Sequence, residues 1–242
     1  MESYEQLIST LALVLGVGWA SGINLYAAVA VLGFAGATGN VALPAELETL
    51  QDPLVIGIAC LMYLVEFFAD KTPGVDSVWD AVHTFIRIPA GAMLAAGAVG
   101  DVTPALEIGA ALLGGSMAMG SHFTKASTRL LINTSPEPFS NWGASISEDL
   151  MVFGGLWAML NYPLAFLGLM LVFILLVIWM LPKLWRVVRA VFRRIGGRLG
   201  LVKKQPDDTG GGEDGLMSDP PLVASADKPA TPVGVGSPFK DR

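Results

Sequence analysis

"PLAFLGLMLVFILLVIWML", residues 163–181, is nineteen residues without a charge. A bilayer core takes about 20 apolar residues of helix to cross, so this stretch reads as a membrane span. The composition around it agrees. Of 242 residues, 53% are hydrophobic and 15% charged, against roughly 25% charged in soluble domains. Residues 7–36, 54–70 and 104–122 are further apolar stretches of this kind. Two shorter ones, 84–100 and 147–160, begin in polar sequence and end at the turn signals "GDVTP" (100–104) and "NYP" (161–163). The expected fold is all-α: a polytopic transmembrane helix bundle of about six spans over residues 1–182.

The first residues carry Glu2 and Glu5 and no Lys or Arg. A secretory signal opens on positive charge, so the N-terminal run reads as a retained span. The net charge of −6 comes largely from the tail, where seven acids face three bases after Gln205. No basic patch with interleaved aromatics points to nucleic acid. Cys60 is the single cysteine and lies in an apolar run. It excludes an intrachain disulfide and a cysteine-based zinc cluster, and is expected to be a buried, inert thiol.

Orientation follows from the bases. With six spans and the C-terminus inside, the outer loops are 38–52, 100–104 and 161–163, and none holds a Lys or Arg. All fifteen bases fall on the other side, eight of them between Lys183 and Lys204. Positive charge stays cytoplasmic, so both termini are expected to be cytoplasmic. A five-span reading, with 147–181 as one helix, moves Lys71, Arg87, Lys125 and Arg129 outside and is rejected. After Pro182, "KLWRVVRAVFRRIGGRLGLVKK" (183–204) alternates basic and apolar residues, as does an amphipathic juxtamembrane helix on anionic headgroups. Residues 205–242, rich in Gly, Pro, Asp and Ser, are expected to form a disordered cytoplasmic tail.

Against this apolar background "EFFADKTPGVDSVWDAVHTFIR" (66–87) is densely charged. Positions three and four apart share a helix face. Asp76, Asp80, His83 and Arg87 therefore form one polar stripe, Tyr63, Glu66 and Asp70 a second, and His122, Lys125 and Arg129 a third. "TPGVDSVW" (72–79) and "SPEPFSNW" (135–142) repeat the pattern Thr/Ser-Pro-x-x-x-Ser-x-Trp, which suggests an internal duplication of a helical hairpin. Proline ends the incoming helix; Asp76 or Ser77, and Ser140 or Asn141, are placed to cap the outgoing one. Acids dominate the first copy and bases the second, so the stripes are expected to meet inside the bundle. In the first span, Gly16, Gly18, Ser21, Gly22 and Asn24 interrupt the apolar run. They allow the helix to loosen and its freed carbonyls, or the Asn24 amide, to face a cavity. Small-residue pairs at Gly91/Ala95 and Gly114/Ala118 are packing signals.

The candidate substrate- or ion-binding residues are Ser21, Asn24, Glu66, Asp70, Asp76, Asp80, His83, Arg87, His122, Lys125 and Arg129. No catalytic residue is assigned, and no cofactor is implied. Glu66, Asp70, Asp76 and Asp80 offer oxygen ligands of the kind Mg²⁺ takes, at a spacing that matches no familiar transferase motif. The stretches "SGINLYAAVAVLG", "EFFADKTPGVDSVWDAVHTFIRIPAGA" and "HFTKASTRLLINTSPEPFSN" resemble the bacterial membrane family grouped as domain of unknown function four-one-two-six. That resemblance implies a multi-pass membrane protein over residues 5 to about 180 and carries no substrate or reaction.

Three functions compete. One is a small transporter, channel-like or lipid-moving protein with its polar site on the cytoplasmic side of the bundle. Another is a membrane scaffold or assembly protein, the stripes acting as interhelical ion pairs. The third is a metal-dependent intramembrane enzyme using His83 or His122, which lacks any HExxH, GxSxG or phosphate-loop signature in its favour. Membrane lipids are the expected partners, with a small ion or solute, and further copies of the chain, left open.

Overall fold

Proline opens four of the six α-helices, where its fixed φ suits the first turn and its missing N–H costs nothing. In the computed structural model, which describes residues 2–72, 74–133 and 138–198, these are α1 (Glu2–Ala37), α2 (Pro53–Ala69), α3 (Val75–Ala98), α4 (Pro104–Ile132), α5 (Pro138–Asn161) and α6 (Pro163–Arg198), with a 3-10 helix at Ala45–Gln51. Among the described residues all regular structure is helical. By length and hydropathy three helices suffice to cross a membrane: Ser3–Ala37, Val75–Ala98 and Pro163–Lys183. The 3-10 helix and α2 make a fourth candidate as one pair bent by 68°. α4 and α5 are less apolar than these.

The first helix is not one straight span. Asn24 has extended backbone angles (φ −148°, ψ 94°) within otherwise helical residues. Its side-chain oxygen accepts the Ala27 N–H at 2.9 Å, the bond an N-cap makes to a new helix. The chain also turns back there. Gln6, Ser9 and Val41 line one cleft beside Gly100 and Leu160, whereas a continuous helix would hold residues 6 and 37 about 45 Å apart. Along the first arm (2–23), Gly18 meets Gly114 and Gly22 meets Ala118 and Ser121, so this arm runs parallel to α4. Along the second arm (25–37), Gly33 and Gly36 return to Leu50 and Gln51. Both ends of α1 therefore lie at the Gly100 end of the bundle, and its elbow points toward the α2–α3 turn at Gly74. The expected straight span at 7–36 is replaced by a re-entrant pair of arms.

Small residues set the packing. A Cβ on Gly114 would strike Ala95 and the Gly91 carbonyl, and one on Gly91 would strike Ala118, so α3 and α4 approach backbone to backbone. The two small-residue pairs of the sequence form this interface. α1 touches each of the other five α-helices. Its Trp19 fills the core with Leu156, Met159, Phe166 and Met170, edge-on to Phe166 and Phe173.

Other boundaries shift too. α3 begins at 75 rather than 84 and α4 runs to 132, because residues that look polar in sequence are buried among themselves. α6 continues through Pro182 to Arg198, so residues 183–198 extend the last helix. Cys60 is exposed on the flank of α2 and lines a groove; it is not buried, because α2 turns its other face to the core. The expected tail at 205–242 and the second proline loop at 134–137 lie outside the described residues.

Candidate functional site

The charged stripes close on one another. Glu66 sits in the last turn of α2 and Asp70 just beyond it; Asp80 and Arg87 lie seven residues apart on one face of α3. Lys125 and Arg129, one turn apart near the end of α4, complete the set from the sequence. All six are at least 96% buried. The Arg87 guanidinium spans two carboxylates, with Nη2 2.6 Å from Glu66 Oε1 and Nη1 2.9 Å from Asp80 Oδ1. The Lys125 ammonium lies 2.7 Å from Asp70 Oδ2 and 3.4 Å from Glu66 Oε1. Arg129 donates to Glu148 Oε2 at 2.6 Å, to Asn141 Oδ1 at 2.7 Å and to the Asp70 carbonyl at 2.8 Å.

His122 joins the network as a neutral acceptor. Arg87 Nη1 stands 3.1 Å from its Nδ1; a guanidinium only donates, so Nδ1 is bare. The proton then sits on Nε2 and is donated to Thr84 Oγ1 at 2.7 Å, whose own proton goes to the Asp80 carbonyl.

The elbow of α1 abuts this network. The Ala27 N–H turns to Asn24 and leaves the Ile23 carbonyl free of its usual i+4 donor; Lys125 Nζ takes that carbonyl at 3.1 Å. Asn24 Nδ2 reaches Asp149 Oδ1 at a long 3.4 Å. In the α2–α3 turn, Lys71 donates to Ser145 Oγ and to the Phe67 carbonyl. Burial draws its ammonium below the ordinary lysine value, with Asp149 and Asp70 opposing.

Ser21, His83 and Asp76 stand apart from the network. Ser21 donates to the Arg87 carbonyl and fastens α1 to α3. His83 stacks on Trp79 with ring centroids 4.2 Å apart and meets the Tyr26 hydroxyl. Asp76 holds Asn133 with both oxygens and accepts the Gly74 and Ser77 amides. It ties the α2–α3 turn, where Gly74 has φ +87°, to the end of α4. Among the described residues no three His, Cys, Asp or Glu come together to hold a metal ion. The carboxylates proposed for Mg²⁺ face Lys125 and Arg87 instead, and Asp76 is turned away from them.

Glu148, Ser145 and Asp149 were not singled out from the sequence, and Asn141 only as one of two candidate caps. Their signal was present: Asn141, Ser145 and Glu148 are spaced four and three, the same one-face pattern as the other stripes. Asn141, expected as a cap, accepts from Arg129 instead.

An apolar helical bundle with a re-entrant first helix and an ionic network sealed in its interior is consistent with a membrane protein. The chain belongs to the family described as Domain of unknown function (DUF4126), whose model matches residues 11–183. The whole network falls within that match. No curated protein and no solved structure matches the chain.

Proposed function

We propose that this is a small transporter-like or channel-like protein of the bacterial inner membrane, acting on an ion or small charged solute at the buried network. The observation that carries the reading is the break in α1. A discontinuous helix that ends against ionisable side chains is how transporter folds expose backbone carbonyls and helix termini to a charged cargo in a low-dielectric interior. Sealed ionisable groups in such a bundle are costly and by default mark a functional site.

The same positive-inside rule, applied to the observed helices, sets the orientation. Five crossings, α2 to α6, follow a re-entrant α1. In this orientation the bases of the network and the end of α6 face the cytoplasm, and the acidic first turns of α1 face outward. The internal duplication also gains support. Glu66 and Arg129 occupy matching positions of the two repeats, 63 residues apart, and each pairs with the opposite charge on the next helix, Arg87 and Glu148.

The test is flux. Proteoliposomes carrying the wild type should dissipate an imposed ion gradient faster than empty vesicles, and Glu66→Gln, Asp80→Asn and Asn24→Ala should each reduce that rate at least about tenfold, a barrier of about 1.4 kcal/mol. Wild-type vesicles that leak no faster than empty ones would remove the reading.

One feature favours a scaffold instead: the network is closed, with Glu66, Arg87 and Arg129 wholly buried. Under that reading Arg129→Glu lowers abundance, Arg129→Glu with Glu148→Arg restores it, and flux is absent throughout.

A further inference from the structure

At the Gly100 end of the bundle the first arm of α1 has a cleft on either side. One, of about 570 Å³, is polar: Gln6, Ser9, Thr10 and Asp101 line it with the 41–44 segment. A Cβ on its Gly100 wall would lie 3.8 Å from Glu46 Oε2, so a second carboxylate stands at its rim. The other, of about 490 Å³, is a groove between the first arm and α4, lined by Leu7, Leu11, Val14, Leu106, Ala110 and Leu113. The two adjoin at Gln6, Thr10, Val99 and Val102, which border both. Each has the size of a ligand cleft, about 300–1,000 Å³.

The groove is as deep as one leaflet. It follows α1 from Ser3 to Val14, about 16 Å of helix, half of a hydrocarbon core of about 30 Å. It closes where the two helices converge: a Cβ on Gly18 would lie 2.6 Å from the Gly114 carbonyl oxygen. Leu7, Leu106 and Leu113 are exposed along it, so its contents come from the bilayer.

The groove by itself selects nothing, because a lipid tail leaving it enters surroundings as apolar as those it left. Selection falls to the polar cleft, where the charge has one sign. Asp101 and Glu46 are acids, Gln6, Ser9 and Thr10 are neutral, and no Lys, Arg or His lines either cleft. A primary ammonium makes charge-assisted hydrogen bonds to such carboxylates. The hydroxyls and the Gln6 amide can donate to a phosphodiester, and a headgroup of net negative charge is repelled.

We propose that the joined clefts bind one phospholipid with a zwitterionic, primary-amine headgroup, its head in the polar cleft and one acyl chain in the groove. In the orientation proposed above it is a lipid of the outer leaflet. The site lies at the opposite end of the bundle from the ionic network and rests on neither the transport reading nor that orientation.

The protein, delipidated in detergent, is titrated with phosphatidylethanolamine or phosphatidylglycerol of matched chains, and bound lipid is counted by native mass spectrometry. The wild type should hold one phosphatidylethanolamine at least about fivefold more tightly than phosphatidylglycerol. Gly109 borders the groove with open space at its Cβ; Gly109→Phe fills the groove and should weaken binding at least about tenfold. Gly168→Phe, equally open but on α6 and outside both clefts, should bind as the wild type does. Asp101→Asn/Glu46→Gln should keep a bound lipid and lose the preference, the two affinities falling within about twofold. Equal affinity of the wild type for both lipids overturns the proposal, as does binding that survives Gly109→Phe or fails equally in Gly168→Phe. Should Gly109→Phe aggregate, the charge variant decides, because both of its side chains are exposed: a preference that survives it overturns the proposal.

Discussion

Arg87→Met removes a guanidinium and keeps most of its apolar stem. Two charge-assisted bonds are lost, at 2.6 Å to Glu66 and 2.9 Å to Asp80, each of a kind worth roughly 1.5–3 kcal/mol. Both carboxylates then stay buried with Lys125 as the nearest cation, 3.4 and 3.8 Å away. Breaking a buried pair from one side costs about 3–5 kcal/mol, most of it the stranded charge. That is about a fifth or more of a typical folding stability of about 5–15 kcal/mol. Unfolding in mixed micelles of rising dodecyl sulfate content, followed by tryptophan fluorescence, reads the change, since Trp19 lies in the core against Phe166 and Phe173. Glu66→Gln in the same chain removes one of the two stranded charges, and the pair should show a coupling of about 1–3 kcal/mol. An Arg87→Met protein within about 1 kcal/mol of wild type, with the double variant no better, would refute the reasoning.

Gly22→Val places a branched carbon on the Ala118 carbonyl and the Ser121 hydroxyl; it should cost at least about 1–3 kcal/mol in the same assay, while Gly168→Ala, with nothing near its Cβ, should be neutral. Asn24→Ala removes the cap on the second arm of α1 and should cost about 0.5–2 kcal/mol, with Asn24→Asp or Asn24→Ser recovering much of it. In a Cys60→Ser background, Ser3→Cys should react in whole cells with a membrane-impermeant maleimide and Arg193→Cys only after lysis; the opposite pattern would invert the proposed orientation.

The sequence showed the ionic site better than the path of the chain. Helical spacing alone grouped Glu66 with Asp70, Asp80 with Arg87 and Lys125 with Arg129, because charged residues in an apolar bundle gain by facing one another. Asp76 shares the stripe of Asp80 by spacing, but its place in the first turn of α3 gives it amides and Asn133 as nearer partners. The re-entrant α1 was only half legible. Asn24 and its glycines marked a weak point, yet hydropathy averages over some nineteen residues, and a single extended residue leaves no trace in it. The five-span reading rejected from the sequence merged 147–181 into one helix, which would carry Lys71, Arg87, Lys125 and Arg129 outside; α5 and α6 are separate helices, broken at Asn161–Pro163. In the orientation proposed above, a first helix that returns to its starting face leaves the bases of the network on the cytoplasmic side. The continuation of α6 through Pro182 was hidden for a related reason: proline weakens a helix without obliging it to stop.

The site exists only if α1 turns back at Asn24, and one cross-linking measurement tests that directly. Gln6→Cys and Val41→Cys, which border one cleft, are introduced together without Cys60 and treated in membranes with a short bis-maleimide, with Tyr63→Cys/Phe153→Cys, whose native rings lie 5.6 Å apart, as the positive control. The re-entrant helix predicts an intramolecular cross-link between residues 6 and 41. A straight first span, which carries residue 37 about 45 Å from residue 6 and leaves residue 41 at least about 30 Å away, predicts none, and absence of the cross-link beside a cross-linked control would contradict the site and the function proposed for it.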